Sequence, residues 1–401
     1  MLSRTPVIGA WFPWVNFFRT ALVVHVNLSV LIWFLSFTAL FWSLGAQTKG
    51  ARITRLGQLF SFAGTLTIVT APFFGAGNPL LNNYVPVLQH PLFYGGLLLF
   101  GAGIALQAVQ RLFAAATPGF GALSPALRLS AATVLFAMAV LAFNGFQLPR
   151  NGLPEAYFEL LFWGPGHLLQ FNHTLLMLLA WLLLASSGNL QALRYPGWLT
   201  VLAAITLAPA LAALPILWMF DIDSLDARLG FTELMRYGGL ASMPLALYAL
   251  SQWRRSDNPL SAVGHTALVC SVVLFASGGV LGFMIEGVNV VIPAHYHGSI
   301  VGVTLAFMGV SYALLPLLGF NIPSPRWARR QLVTYASGQL MHIVGLAWSG
   351  GYGVQRKTAG AAQGLDQLPE IAGMALMGTG GLVSIIGGLI YLLVMLQAMR
   401  R

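Results

Sequence analysis

Apolar runs of about 20 residues recur along the whole chain, and each is long enough to cross the hydrocarbon of a bilayer as a helix. In lipid the backbone finds no water to bond, so such runs fold as helices or not at all. Eleven are expected, with approximate spans 15–44, 55–77, 86–112, 128–147, 154–187, 197–219, 229–252, 260–284, 291–318, 330–350 and 369–399. Short turns rich in Gly and Pro separate them: GAGNP at 75–79, PRNG at 149–152, SSGN at 186–189 and IPSP at 322–325. The one longer connection runs from about Ser349 to Leu368. There is no low-complexity linker and no repeat period, so residues 1–401 are expected to form a single transmembrane domain of the all-α class, a polytopic helical bundle. Only 7% of the residues are charged, against about a quarter in soluble domains, which excludes a soluble enzyme.

The net charge of +10 is sorted by side. If the spans alternate in direction, Lys49, Arg52, Arg55, Arg111, Arg128, Arg194, Arg254, Arg255, Arg326, Arg329, Arg330, Arg400 and Arg401 share one face with Asp257. Glu155, Glu159, Asp221, Asp223, Asp226, Glu286, Asp366 and Glu370 collect at the other. The positive-inside rule makes the basic face cytoplasmic, with the N-terminus outside and the C-terminus inside, in a bacterial-type inner (plasma) membrane. No aromatic-interleaved basic run points to nucleic acid. The opening MLSRTPVIGAWFPW lacks the pattern of a cleaved signal peptide, so the first span is expected to serve for insertion. The single cysteine, Cys270, excludes a disulfide framework and a cysteine-based metal site, and reads as packing.

Ionisable groups inside a membrane are costly and point to function. Five of the eight histidines, His25, His167, His295, His297 and His342, fall at one depth, about a third of the way in from the outer face at the helical rise per residue. His295 and His297 stand two apart and so point to opposite sides of their helix. One helix could therefore ligate two flat cofactors, one on each side; a bis-histidine haem takes two imidazoles and a five-coordinate haem takes one. The competing reading is a set of polar core histidines bonded across the bundle. His90 begins a span near the surface and needs no special role, and His265 suits capping or snorkelling. Glu233 and Arg236, one turn apart, can pair. The glycine clusters around 277–282 and 378–388 follow no strand and indicate close helix packing, not nucleotide binding.

The stretch IPAHYHGSIVGVTLAFMGVSYALLP resembles the tenth helix of haem-copper oxidase catalytic subunits, and FRTALVVHVNLSVLIWFLSF resembles their second. LLFWGPGHLLQF looks like the sixth helix, and QLMHIVGLAWSGGYGVQRK like the eleventh with the basic pair beyond it. The similarity extends over almost the whole chain, in order, to the superfamily of cytochrome c oxidase subunit I and the nitric oxide reductase large subunit, with the family's first helix missing. It implies that His25 and His297 are the axial ligands of a low-spin haem, that His295 is the proximal ligand of a high-spin haem, and that Arg356 and Lys357 meet haem propionates. Two non-covalent haems, b type by preference, are then expected.

The family pattern breaks at the second metal. His167 matches the sixth-helix histidine and is the candidate catalytic, distal group, but the expected seventh-helix pair falls near Leu214 and Pro215. One imidazole is too few to retain copper. Where most oxidases carry a tyrosine stands Phe171, so no donor phenol is expected there, and the high-spin haem is expected to face His167 and an apolar wall. His173 is poorly placed to complete the site. The resemblance implies an oxidoreductase of respiratory electron transfer, passing electrons from a low-spin to a high-spin haem, and the missing copper ligands argue against reduction of oxygen or nitric oxide. The alternative is a non-catalytic di-haem subunit or gas-binding protein. A secondary transporter would show inverted repeats, which are not seen. A separate cytochrome c or cupredoxin-type donor is expected, within a hetero-oligomeric membrane complex in contact with lipid, because no Cys-x-x-Cys-His signature is present.

Overall fold

The computed structural model describes residues 5, 15–46, 51–75, 77–117, 119–149, 152–254, 256–358 and 363–400. Lys49, Arg255 and Arg401 of the basic set lie outside the described residues, as do most of the opening segment, Ala76, Arg150, Asn151 and part of the long loop before Leu368.

Among the described residues the helices form eleven segments in the expected order. α1 (Val15–Val26) passes through a π-helical turn, Asn27–Ile32, into α2 (Trp33–Leu44). α3 (Ala51–Thr70), α4 (Pro91–Phe113), α5 (Ser124–Gln147) and α6 (Pro154–Ala185) follow. α7 (Trp198–Leu207) joins α8 (Ala213–Met219), and α9 (Leu225–Gly238) joins α10 (Met243–Ser251), each through a short 3-10 turn. α11 (Pro259–Phe283), α12 (Val291–Leu317), α13 (Pro325–Gly351) and α14 (Leu368–Met399) complete the chain.

Among the described residues nine segments are long and apolar enough to cross a membrane. The other two carry the polar groups: Asp226, Arg228, Glu233 and Arg236 on α9, and the arginines and glutamines of α13. Glu233 and Arg236 pair at 3.0 Å, as their spacing suggests.

Polar side chains set several helix boundaries. Asn258 caps α11 and Ser224 caps α9, each accepting from a backbone amide of the first turn. His90 does the same for α4, its Nδ1 accepting from the Leu92 amide at 3.3 Å. The π turn has a local cause. Asn27 and Ser29 donate to the Val23 and His25 carbonyls four residues back, competing with the backbone ladder.

One departure from the sequence reading and one addition to it stand out. A hairpin of β1 (Pro79–Leu80) and β2 (Val87–Leu88) lies between α3 and α4, and its second strand falls within the stretch 86–112 that was expected as a span. Its approach uses Gly77 at φ +68, where a Cβ would stand 2.2 Å from the Gln89 carbonyl oxygen. Arg111, one of the residues assigned to the basic face, is buried at 1% exposure. Its guanidinium donates to the carbonyls of Gly45 (2.9 Å) and Ser124 (2.8 Å), so hydrogen bonds at the end of α2 and the start of α5 hold it inside.

The helices cluster into two compact units. One comprises Ala180–Asn189 and Ala249–Arg401 with the N-terminal residues to Phe18; the other comprises Arg19–Leu179 and Leu190–Tyr248. In the first, the glycine clusters bring backbones together. A Cβ on Gly298 of α12 would stand 2.5 Å from the Gly278 Cα of α11, and one on Gly345 of α13 would meet the Gly373 carbonyl of α14 at 2.4 Å. Small residues that let backbones touch are the usual means of helix association in lipid, where burial of apolar surface gives no advantage over contact with acyl chains.

Candidate functional site

In the second unit His167 sits on α6, buried at 4% exposure. Its Nδ1 lies 2.6 Å from the Trp163 carbonyl one turn earlier. A protonated Nδ1 donating to that oxygen leaves the Nε2 lone pair available to a ligand or proton. Its surroundings include a phenol that the sequence reading did not place there. Tyr84, from the β1–β2 loop, places its hydroxyl 3.0 Å from Nδ1, and Gln170 donates to the same hydroxyl at 3.2 Å. Trp163 and Phe231 complete the enclosure. The Tyr84 ring occupies the space that a Cβ on Gly166 would fill.

The loop that presents this phenol is built to be rigid. Asn82 accepts from the amides of Tyr84 (3.0 Å) and Val85 (2.8 Å), an Asx turn. Glu159, two turns before His167 on α6, accepts from both the backbone amide and the side-chain amide of Asn83. Asn27, two residues after His25, donates to the Pro86 carbonyl at 2.7 Å. His25 itself is exposed at the end of α1, free of the close packing that surrounds Asn27.

His173 lies apart from His167. It packs edge-on against Phe34, with no hydrogen-bond partner at Nδ1, and does not join the Tyr84 group. Phe171 is packed where Gly238 and Pro209 approach; a Cβ on Gly238 would meet its ring at 3.0 Å. Leu214 and Pro215 are exposed positions on α8 and bring no imidazole near. Among the described residues no group of three or more His, Cys, Asp or Glu is gathered closely enough to hold a metal ion.

In the first unit the three remaining histidines of the common depth meet at one end. His295 and His297 lie in the first two turns of α12, and His342 in the last three turns of the antiparallel α13. The His295 Nδ1 stands 2.7 Å from the Gly278 carbonyl, and Gly282 leaves its ring room; a Cβ there would come within 2.8 Å of Nδ1. A donated Nδ1–H fixes the tautomer and ring plane and directs Nε2 away from α11, the arrangement that metal-ligating histidines use. His342 is held in the same manner by the Met377 carbonyl at 2.9 Å. Its ring lies 4.5 Å, centre to centre, from that of His297. This pairing of His342 was missed in the sequence, although its shared depth was the signal.

Arg356 and Lys357 follow Val354, whose carbonyl accepts from the Val290 amide at 3.0 Å. Val290 is five residues before His295, so the basic pair is tied to the histidine end of the unit. Both side chains are half-buried, and Lys357 adopts φ +61.

No family model matches the chain. It is 30% identical over 464 aligned positions to the uncharacterised protein RP382 of Rickettsia prowazekii, covering 98% of this chain and 90% of that one. The chain belongs to the family of RP382. An uncharacterised protein of Aquifex aeolicus is 30% identical over 325 positions, 80% of each chain, and is of the same family. In fold, the RP382-family chain is similar to a haem-copper terminal oxidase dimer solved by cryo-electron microscopy: TM-score 0.65 over 96% of this chain and 75% of that one, at 16% identity. The fold is therefore the polytopic all-α fold of the haem-copper oxidases, as the helix resemblances implied.

Proposed function

We propose that this protein is a membrane haem protein of respiratory electron transfer, holding two non-covalent haems of b type. His295 is the proximal ligand of a high-spin haem; His25 and His297, by the sequence resemblance, are the axial pair of a low-spin one. Arg356 and Lys357 neutralise propionates, a role that suits their charge and their tie to the histidine end of the unit. The observation that carries the reading is the His295 Nδ1 bond to the Gly278 carbonyl with Gly282 leaving the ring its space. An axial ligand must present Nε2 in a fixed plane, and this seat supplies that. Bound there, a five-coordinate haem supplies an iron that takes up a diatomic gas.

The chain's own groups do the rest. His167 is the distal group, held by the Trp163 carbonyl and the Tyr84 hydroxyl. Copper is not expected, and electrons come from a separate cytochrome c or cupredoxin-type subunit in a hetero-oligomeric complex. The basic end of the helices faces the cytoplasm. A second reading, a non-catalytic di-haem or gas-binding subunit, is favoured by Leu214 and Pro215 standing where two metal ligands would be needed.

Metal and haem analysis of the purified protein tests both. Two haems per chain, a sharp low-spin band in the reduced spectrum and a carbon monoxide difference spectrum lost in His295→Ala are expected. A colourless protein overturns the proposal. Rapid oxygen consumption from a reduced donor decides for the oxidoreductase; gas binding without turnover decides for the second reading.

A further inference from the structure

The first turns of α13 carry Arg326, Arg329 and Arg330, three arginines within five residues, a density found nowhere else in the chain. At the helical repeat their side chains leave the helix within an arc of about 100°. All three are exposed. Arg400, exposed at the end of α14, belongs to the same end of the unit: Asn321, in the α12–α13 connection, donates to its carbonyl at 2.7 Å and to that of Ala398 at 3.0 Å.

Two of these side chains are held toward neighbours. The Arg329 Nε donates to Thr266 Oγ1 of α11 at 3.4 Å, and the Arg330 guanidinium lies 5.1 Å from the centre of the Trp327 ring. Beside the charge stand exposed apolar groups, Trp327, Ile322 and Leu317. Leu317 is the last residue of α12, a segment long and apolar enough to cross a membrane, so the cluster lies at the level where that span ends.

Stability of the helix does not account for this arrangement. Like charges three and four residues apart on a helix repel, and cations in the first turns meet the positive end of the helix dipole. Among the described residues none of the four arginines has a carboxylate partner. An anion would offset both effects. A soluble acidic protein would account for the charge but not for the exposed Leu317, Ile322 and Trp327 beside it. A phospholipid accounts for both, because guanidinium forks take phosphate oxygens in pairs while indole and aliphatic groups enter the glycerol and acyl layers.

We propose that the α12–α13 connection and the start of α13 form a binding site for an anionic glycerophospholipid of the leaflet at the basic end of the unit. Arg326, Arg329 and Arg330 hold the headgroup phosphate, with Arg400 adding charge from the end of α14. Trp327 lies beside the glycerol, and Ile322 and Leu317 meet the acyl chains. Because Arg329 also contacts α11 and Asn321 ties the connection to α14, the bound lipid joins the ends of three helices. The site requires no haem, and its failure is separable from that of the function proposed above.

Native mass spectrometry of the purified full chain with phosphatidylglycerol and phosphatidylcholine of matched chains tests it. The unaltered protein should retain phosphatidylglycerol about tenfold more than phosphatidylcholine. Arg326→Gln combined with Arg330→Gln, which spares the Arg329 contact with Thr266, should bring that ratio to about twofold or less. Arg52→Gln combined with Arg55→Gln removes the same charge from exposed arginines of α3 and should leave the ratio of the unaltered protein. A phosphatidylglycerol with a photoreactive headgroup should attach within residues 317–330 of the unaltered protein, a measurement that needs no variant. Equal loss in the two double variants, no loss in the α13 variant, or attachment confined to other segments overturns the proposal. So does ready displacement of the lipid by inorganic phosphate, which assigns the arginines to a simple anion, or binding of a polyglutamate peptide without lipid selectivity, which assigns them to a soluble acidic partner.

Discussion

The Tyr84 hydroxyl lies 3.0 Å from Nδ1 of His167, joining a loop and a helix 83 residues apart in sequence. Tyr84→Phe keeps the ring that fills the gap at Gly166 and removes only the hydroxyl. It should lower stability in mixed micelles by about 1 kcal/mol, the ordinary worth of one such bond. If haem is present, it should also alter the vibrational frequency of bound carbon monoxide. An unchanged unfolding curve together with an unchanged frequency would remove Tyr84 from the site.

Gly282→Val places side-chain atoms where the His295 imidazole stands. The ring must turn, Nδ1 loses the Gly278 carbonyl, and Nε2 no longer points along a fixed axis. The carbon monoxide difference spectrum should be lost or strongly broadened while the low-spin band persists. Equal loss of both signals would mean that the substitution disturbs the helices and not the ligand.

His25→Ala and His297→Ala should each abolish the sharp low-spin reduced band. Survival of that band at normal intensity in both variants refutes the axial assignment.

Arg111 donates to the carbonyls of Gly45 and Ser124 from a fully enclosed position. Arg111→Met leaves those acceptors without a partner and should destabilise the protein by about 3 kcal/mol. Lysine cannot reproduce the planar fork, so Arg111→Lys should recover little of it. Wild-type stability in the lysine variant would show that charge alone suffices.

Copper should be substoichiometric in the purified chain, since His167 has no second imidazole gathered to it. About one copper per chain with rapid oxygen consumption would show that other groups replace the missing ligands.

The spans were legible because a bilayer forces a nearly fixed length of apolar helix, and 291–318 and 128–147 differ from α12 and α5 by a few residues at most. That His297 and His342 share one end of their helices was legible for the same reason, since rise per residue converts sequence position to position along a helix. What touches what at that depth was not. Tyr84 stands in a loop of two-residue strands, too short to leave a period, and nothing near it in sequence marks it as the neighbour of His167. The π turn after His25 arises from side chains of Asn27 and Ser29 bonding backward, which hydropathy does not register. The burial of Arg111 was not legible, because charge sorting assigns a side to a residue and says nothing of its contacts.

The approach of Gly278 to Gly298 has a consequence for the life of this protein in different membranes. Where two backbones meet with no side chain between them, the contact has no compliant element, and lipids of another thickness or fluidity have nothing there to stretch. Gly278 is also the residue whose carbonyl holds His295. The imidazole is thus anchored to a close backbone contact between α11 and α12, and its setting should be insensitive to the composition of the surrounding bilayer.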